Sequence, residues 1–155
     1  MQKWLCENKD TVMHIKKCCI IGKNVSSHAA AEGALKLDET MLIPACGYEF
    51  EEFLHGPACT IDNEMAGIYF IPDESDNDRD RMLKLAAFHK MLCNDVYTFG
   101  GDGCDCNLKL TAWYADAFSY ILPCQMMAAE CPPEAGHKQF KYLQDALNTK
   151  YEGGV

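Results

Sequence analysis

The sequence predicts an α/β fold, a three-layer α/β/α sandwich built on a parallel sheet. Short apolar runs rich in branched and aromatic residues alternate along the chain with longer segments in which apolar residues recur every three or four positions. Strands that alternate with helices pair in parallel, and the helices cover both faces of the sheet. Because 155 residues suffice for one such core, we expect residues 1–155 to form a single domain.

The predicted elements follow one another in this alternating order. Four segments have the composition and length of buried strands: 18–21, 66–71, 95–99 and 107–110. Five segments have helical periodicity or composition: 2–13, 26–41, 79–92, 115–130 and 138–147. We expect His89, in the middle of the third predicted helix, to be structural.

The loop between the first strand and the second helix is a candidate ligand contact. Gly22 follows the strand, and the helix begins at the pair Ser26-Ser27, of which either residue is a suitable N-cap. The first turn of a helix can receive an anion through its free N–H groups. Ser26 and Ser27 are therefore candidate substrate-binding residues, although packing alone would also explain the glycine.

Three charged residues share one face of the predicted helix 26–41. Glu32, Lys36 and Glu39 are spaced by four and three residues, so they are neighbours on the helix surface. A lysine between two carboxylates could hold one of them ionised for chemistry. A solvated, salt-bridged helix face would have the same spacing, and spacing alone leaves both interpretations open.

A histidine stands at the end of the segment that follows this helix. Pro44 and Gly47 break the helical pattern, and His55 is followed directly by Gly56-Pro57, which marks a turn. A turn of this kind would hold the imidazole at the end of a short element. A single histidine is more often structural than catalytic, so the type of residue alone does not assign a role.

These residues together resemble the sugar isomerase (SIS) domain. The run A-x-E-G-A-L-K-L-x-E at 30–39 is followed, sixteen residues after its last glutamate, by H-G-P, with Glu52 three residues before the histidine. This arrangement is most similar to the second SIS domain in the isomerase half of glucosamine-6-phosphate synthase and in the fructosamine-6-phosphate deglycases. The resemblance implies the same sandwich, of the flavodoxin-like kind.

The resemblance also implies roles for individual residues. The residue matching Glu39 is the proton-transfer base in that family, and the residue matching His55 assists ring opening or acts as a general acid, on a site that belongs mainly to a neighbouring subunit. Glu32 and Lys36 would support the base and the substrate. Lys150 lies five residues from the carboxyl end, as does the family lysine that can form a Schiff base with the open sugar. The remainder of the tail does not reproduce the family motif.

One loop departs from the first SIS domains of the family. Those domains carry a loop rich in serine and threonine that cradles the sugar phosphate, whereas this chain has an acidic segment at 73–78. Carboxylates would repel a phosphate, so we expect this loop to be a solvated helix start. The second domains also lack the phosphate loop. We therefore expect a homo-oligomer or a partner subunit carrying a first SIS domain to complete the site.

Composition excludes several other classes of protein. The net charge of −9 argues against nucleic acid or an anionic membrane as a partner. No apolar run is as long as a membrane span, and residues 1–15 contain no signal-peptide core, which predicts a cytoplasmic protein. The ten cysteines sit mostly in apolar segments and are expected to be reduced core thiols. Cys104-x-Cys106 lacks the spacing of a metal site, and no metal or other cofactor is expected.

Two classes of function follow from the sequence. In the first, the chain is a phosphosugar isomerase or deglycase domain that acts on a ketose 6-phosphate or a fructosamine 6-phosphate through Glu39 and His55. In the second, it is a non-catalytic sensor or regulatory module that binds a sugar phosphate. The pair Glu39 and His55 favours the first, because a sensor needs no proton-transfer groups.

Overall fold

The fold is a five-stranded parallel sheet between two layers of helices, as the sequence predicts. A computed structural model describes residues 1–108, 113–131 and 145. The described elements are α1 (Gln2–Val12), β1 (Lys17–Gly22), α2 (Val25–Thr40), β2 (Ala45–Glu49), α3 (Phe50–Leu54), a 3-10 turn (Pro57–Thr60), β3 (Met65–Phe70), α4 (Arg79–Leu92), β4 (Val96–Gly100), β5 (Cys106–Asn107) and α5 (Trp113–Glu130).

The strand order is β2-β1-β3-β4-β5, with every neighbouring pair parallel. The order reverses between β1 and β3, and in sheets of this flavodoxin-like type ligands bind outside the carboxyl ends of the strands at that point. The loops after β1 and β3 therefore meet at the carboxyl edge. Among the described helices, none has the length and apolar character of a membrane span.

Each face of the sheet has its own apolar core. On one face, residues such as Ile20 and Phe99 pack with apolar side chains of α1, α2 and α5. On the other face, residues such as Ile21 and Tyr69 pack with α3 and α4. The alternation of neighbouring residues between the two cores is what a strand covered on both sides requires.

Strand β2 was not predicted, and it is the main correction to the expected order of elements. It pairs with β1 from Cys18 and Ala45 to Gly22 and Glu49. Helix α2 lies directly on this strand, because a Cβ at Gly47 would come within 2.5 Å of the Ala30 backbone. Glycine therefore permits the close contact between the helix and the edge strand.

Other predictions are confirmed or fall outside the described residues. Helix α4 has the predicted bounds, and His89 is fully buried in a structural role. Six of the ten free cysteines are buried. The predicted strand at 107–110 is observed at Cys106–Asn107, and residues 109 and 110 lie outside the described part. The predicted helix at 138–147 lies outside it too, except for Asp145, which is helical.

Candidate active site

The three charged residues of α2 form an ion-paired group near the carboxyl end of the helix. Lys36 Nζ lies 2.8 Å from Glu39 Oε2 and 3.6 Å from Glu32 Oε1. The hydrogen bond to Glu39 raises the pKa of the Lys36 ammonium, so the lysine stays charged at neutral pH. The Glu39 side chain is 50% exposed. The carboxylate is thus held by a cation on one side and is open to a ligand on the other.

The end of α2 is fixed to the following strand. Asp38 Oδ1 accepts a hydrogen bond from the Ala45 N–H at 2.9 Å, which joins the last turn of the helix to the start of β2. Thr40 Oγ1 donates to the Lys36 carbonyl at 2.7 Å. These contacts limit the motion of the backbone that carries Glu39.

His55 stands at the carboxyl end of the short helix α3. Glu49 caps the start of that helix by accepting hydrogen bonds from the N–H groups of Glu51 and Glu52, and Phe50 and Phe53 anchor it in the core. His55 is exposed, and its ring makes no hydrogen bond or ion pair with any part of the chain that the structure describes. The ring is therefore available to an outside group.

Glu39 and His55 do not meet within the chain. Helix α2 packs on one face of the sheet and α3 on the other, with the edge strand β2 between them. Both residues are described, and no hydrogen bond or ion pair joins them. A reaction that uses both groups on one substrate would need a second copy or another domain.

Ser26 and Ser27 are not the N-cap of α2, contrary to the prediction. The helix begins at Val25, and Asn24 takes the cap position with a φ of 51°. Ser26 is buried, and its Oγ accepts from the Lys23 N–H at 2.8 Å and donates to the Lys23 carbonyl at 2.9 Å. Ser27 Oγ donates to the Asn24 carbonyl at 2.6 Å. Both hydroxyls stabilise the loop itself.

A cleft of about 350 Å³ lies at the carboxyl edge, between the loops that follow β1 and β3. Its lining residues are Lys23, Asn24, Val25, Ser26, Pro72, Asp73, Ser75, Asp76 and Tyr120. Ser26 and Glu39 are thirteen residues apart on one helix, which corresponds to about 20 Å along its axis. The cleft and the group around Glu39 are therefore separate places on the molecule.

Carboxylates dominate this cleft, and its lysine is already paired with two of them. Lys23 Nζ lies 2.6 Å from Asp76 and 2.7 Å from Asp78. Partial burial lowers the pKa of Lys23, but the hydrogen bonds that its ammonium donates to both aspartates outweigh that effect and raise the pKa. Asp73 Oδ1 accepts from the Ser75 N–H and Oγ. The acidic loop is thus a helix start, as predicted. Lys23 was not predicted to line a cleft, although its position directly after Gly22, in the loop that follows β1, could have indicated this.

Two further predictions concern residues elsewhere. Lys150 lies outside the described residues. Cys106 packs in the core on the α2 side of the sheet, whereas Cys104 packs against the core on the α4 side. The two thiols therefore face different layers, which is incompatible with one shared metal ion. In the described part of the chain there is no group of three or more side chains that could hold a metal.

Comparison with known sequences finds relatives of one kind over part of the chain. No protein-family model matches the sequence. The isomerizing glutamine–fructose-6-phosphate aminotransferases of Acinetobacter baylyi and Cyanidium caldarium are 39% and 41% identical to it over 62 and 61 residues. These alignments cover 40% and 39% of this chain, but only 10% and 9% of the relatives. The chain thus matches about a tenth of the length of these relatives.

Solved structures extend the likeness to most of the fold. A proposed phosphosugar isomerase from Clostridium difficile 630 superimposes with a TM-score of 0.70 and 29% identity, over 84% of this chain and 38% of that one. A proposed sugar-binding protein from Salmonella typhimurium LT2 gives a TM-score of 0.69 and 30% identity, over 84% and 41%. The resemblance to sugar isomerase domains and the predicted fold are confirmed.

Proposed function

We propose that this chain is the second sugar isomerase domain of a phosphosugar isomerase or fructosamine-6-phosphate deglycase, with Glu39 as the base and His55 as the acid. The observation that carries the proposal is the Glu39 carboxylate, which is half exposed and ion-paired with Lys36 at 2.8 Å. A paired carboxylate that a ligand can reach is suited to accept and return a proton. Residues 1–155 would correspond to one domain of a larger catalytic unit.

The reaction needs two proton transfers that these side chains can perform. Moving a carbonyl from C2 to C1 of a ketose 6-phosphate requires removal of a proton from C1 and its delivery to C2, which a single carboxylate can do by accepting and then donating it. The sugar must first be in its open form, and an imidazole can protonate the ring oxygen during opening. Lys36 would hold the Glu39 carboxylate in position between turnovers through its 2.8 Å contact.

The proposal includes a second polypeptide or domain at the site. Glu39 and His55 lie on helices that pack on opposite faces of the sheet, so the His55 that serves a given Glu39 would come from another copy. The acidic cleft is a poor receptor for phosphate, because Asp76 and Asp78 already occupy Lys23. A partner carrying a first SIS domain would supply phosphate binding. The Clostridium difficile and Salmonella typhimurium structures are each more than twice as long as the part that this chain covers, which agrees with this arrangement.

The proposal predicts that Glu39→Gln abolishes hydrogen exchange on the substrate. Fructose 6-phosphate is incubated in deuterium oxide with the protein, alone and together with the product of the neighbouring gene, and deuterium at C1 is followed by NMR. The amide keeps the shape of the side chain and removes the base, so we expect a loss of at least about a hundredfold. The matched control is Glu64→Gln, because Glu64 pairs with Lys16 at 2.7 Å and is 52% exposed.

The results separate the catalytic function from the sensor. Near-normal exchange by folded Glu39→Gln protein would remove Glu39 from the mechanism. Absence of exchange in the unchanged protein, together with a rise in melting temperature on adding hexose 6-phosphates, would support the sensor instead. The match to a proposed sugar-binding protein at 30% identity is the observation that favours this second candidate.

Ser26, Ser27, Glu32 and Lys150 remain predictions in this scheme. The hydroxyls of Ser26 and Ser27 already bond within their own loop, so a ligand contact there would have to replace or share these bonds. Glu32 lies 3.6 Å from Lys36 and would help to set its position. Lys150 would form a Schiff base with the open sugar, in the role of the family lysine.

A further inference from the structure

Two cysteines lie side by side at the edge of the sheet. Cys19 of β1 and Cys46 of β2 are direct partners in the parallel register. Both belong to the face that carries α3 and α4, where Cys19 packs in the core and Tyr48, two residues after Cys46, packs against it. Neighbouring strands are about 4.8 Å apart. That spacing falls within the range of about 4.4 to 6.8 Å that disulfides span between Cα atoms.

The two thiols differ in access to small reagents. Cys46 is exposed and Cys19 is only 3% exposed. Both line a cavity of about 140 Å³, with Tyr48, Phe53 and Met65 among its other walls. Burial raises the pKa of Cys19 to about 12, so this thiol stays protonated and does not react first. A reagent that enters from solvent meets Cys46 before Cys19.

We propose that Cys46 is a modification site for low-molecular-weight disulfides, and that Cys19 is the thiol that resolves the adduct. The Cys46 thiolate attacks one sulfur of the reagent, which forms a mixed disulfide and releases the first thiol of the reagent. Cys19 then attacks the Cys46 sulfur, and its proton passes to the reagent sulfur, which leaves as the second thiol. The products are one Cys19–Cys46 disulfide and two reduced reagent thiols, so electrons and protons balance.

The attack of Cys19 on the Cys46 adduct requires only a local change, in the side chain of Cys19. Cys19 Sγ donates to the Ala66 carbonyl at 3.5 Å, on the side of β3. A rotation of the Cys19 side chain toward β2 exchanges this weak hydrogen bond for the new covalent bond. The disulfide would fasten the edge strand to the centre of the sheet. Because β2 joins α2 to α3, the elements that carry Glu39 and His55 would be fastened with it. The inference does not depend on the proposed function.

Oxidised glutathione is the probe, applied to the reduced, folded chain at neutral pH. Remaining free thiols are alkylated, and unreduced peptides are identified by mass spectrometry. We expect the Cys19–Cys46 disulfide as the main product, with little glutathione retained on Cys46. In Cys19→Ala the adduct on Cys46 should accumulate, and the unchanged protein should retain less than about a tenth as much, because an intramolecular resolving thiol acts at high effective concentration.

The other exposed cysteines serve as internal controls. Cys6 and Cys59 are exposed as well, and Cys59→Ser should still form the Cys19–Cys46 disulfide. A stable adduct on Cys46 of the unchanged protein, a disulfide to Cys59, or faster reaction at Cys6 would overturn the proposal. If Cys19→Ala does not fold, Cys46→Ser provides the test, because it changes an exposed residue. Cys19 should stay unmodified in Cys46→Ser. Modification of Cys19 in that variant would refute the proposal that Cys46 reacts first.

Discussion

His89 is a buried polar residue whose removal should strongly reduce stability. Its Nε2 lies 2.8 Å from the Met65 carbonyl, which can only accept, so Nε2 carries the proton. Its Nδ1 therefore accepts from the Tyr69 hydroxyl at 2.9 Å. The ring lies above Gly67, where a Cβ would come within 2.6 Å of Nδ1. His89→Ala removes both hydrogen bonds and leaves a void.

The expected loss in the free energy of unfolding follows from these two hydrogen bonds. Tyr69 is 0% exposed, so its hydroxyl would lose its partner in the core, whereas the bond to Met65 is only partly buried. An orphaned buried polar group costs about 1 to 3 kcal/mol, and the void adds to this. We expect His89→Ala to lower the free energy of unfolding by about 2 to 5 kcal/mol. That is a large fraction of the total of about 5 to 15 kcal/mol typical of a domain.

Urea unfolding followed by circular dichroism and by fluorescence measures this loss. The matched control is Phe88→Ala on the same helix, because Phe88 is 52% exposed and a surface change there should stay within about 0.5 kcal/mol. If His89→Ala does not fold, Tyr69→Phe removes one of the two bonds and should cost about 1 to 3 kcal/mol. Equal stability of the His89 and Phe88 variants would refute the assigned role of the ring.

The same residue makes the fold sensitive to acid. Burial lowers the pKa of His89, an effect that the bond to Met65 only partly opposes. Unfolded histidine has a pKa near 6.5, so the unfolded chain takes up a proton at a higher pH than the folded chain does. The stability from neutral His89 is therefore complete above about pH 6.5 and is lost as the pH falls through the folded pKa. Between about pH 7 and pH 5, the free energy of unfolding of His89→Ala should depend less on pH than that of the unchanged protein. An identical pH dependence of the two proteins would contradict this prediction.

Two further predictions concern the candidate site and the strand beneath it. His55→Ala should lower turnover while leaving the melting temperature nearly unchanged. If each site of a dimer takes Glu39 from one copy and His55 from the other, mixing the His55→Ala and Glu39→Gln variants should restore about a quarter of the activity. A destabilised variant with an unchanged rate per folded molecule would contradict the catalytic role. Gly47→Ala should cost about 1 to 3 kcal/mol, because its Cβ meets the Ala30 backbone at 2.5 Å. An unchanged melting temperature would refute this.

Periodic and strongly apolar segments could be predicted from the sequence. Helix α4 has the predicted bounds, and β1, β3 and β4 begin and end within one residue of their predicted ends. These elements carry their own signal, because the strands are buried on both faces and the helix repeats its apolar residues. The ion-paired group of Lys36 and Glu39 also follows from helical spacing alone.

Strand β2 could not be predicted because most of its residues are weak strand formers. The sequence Ala45-Cys46-Gly47-Tyr48-Glu49 has no β-branched residue and contains a glycine, and none of its residues is fully buried. It is an edge strand that becomes extended through pairing with β1. The pairing with β1 is a tertiary interaction, and the strand propensities of residues 45–49 do not include it.

The start of α2 offers three candidate N-cap residues, of which Asn24 takes the cap position. Ser26 and Ser27 are both good caps by type, but Asn24 adopts a φ of 51°, in the left-handed region that asparagine tolerates better than most residues. The chain then turns so that the Ser26 hydroxyl bonds back to Lys23. Residue preferences therefore locate the start of a helix within a few positions, but they do not identify which residue is the N-cap.

The separation of Glu39 from His55 within one chain does not follow from the spacing of the residues, and only the resemblance to the SIS family implied that a neighbouring subunit takes part. Sixteen residues of chain could fold into one helix or hairpin that brings the two side chains together. The edge strand β2 instead places α2 and α3 on opposite faces, and the Asp38 contact to Ala45 and the Glu49 cap of α3 hold each junction. Bringing His55 to Glu39 within one chain would break these contacts and expose Phe53. A second chain can bring its own His55 to Glu39 with all of them intact, which is why the complementation of the two variants is the decisive measurement.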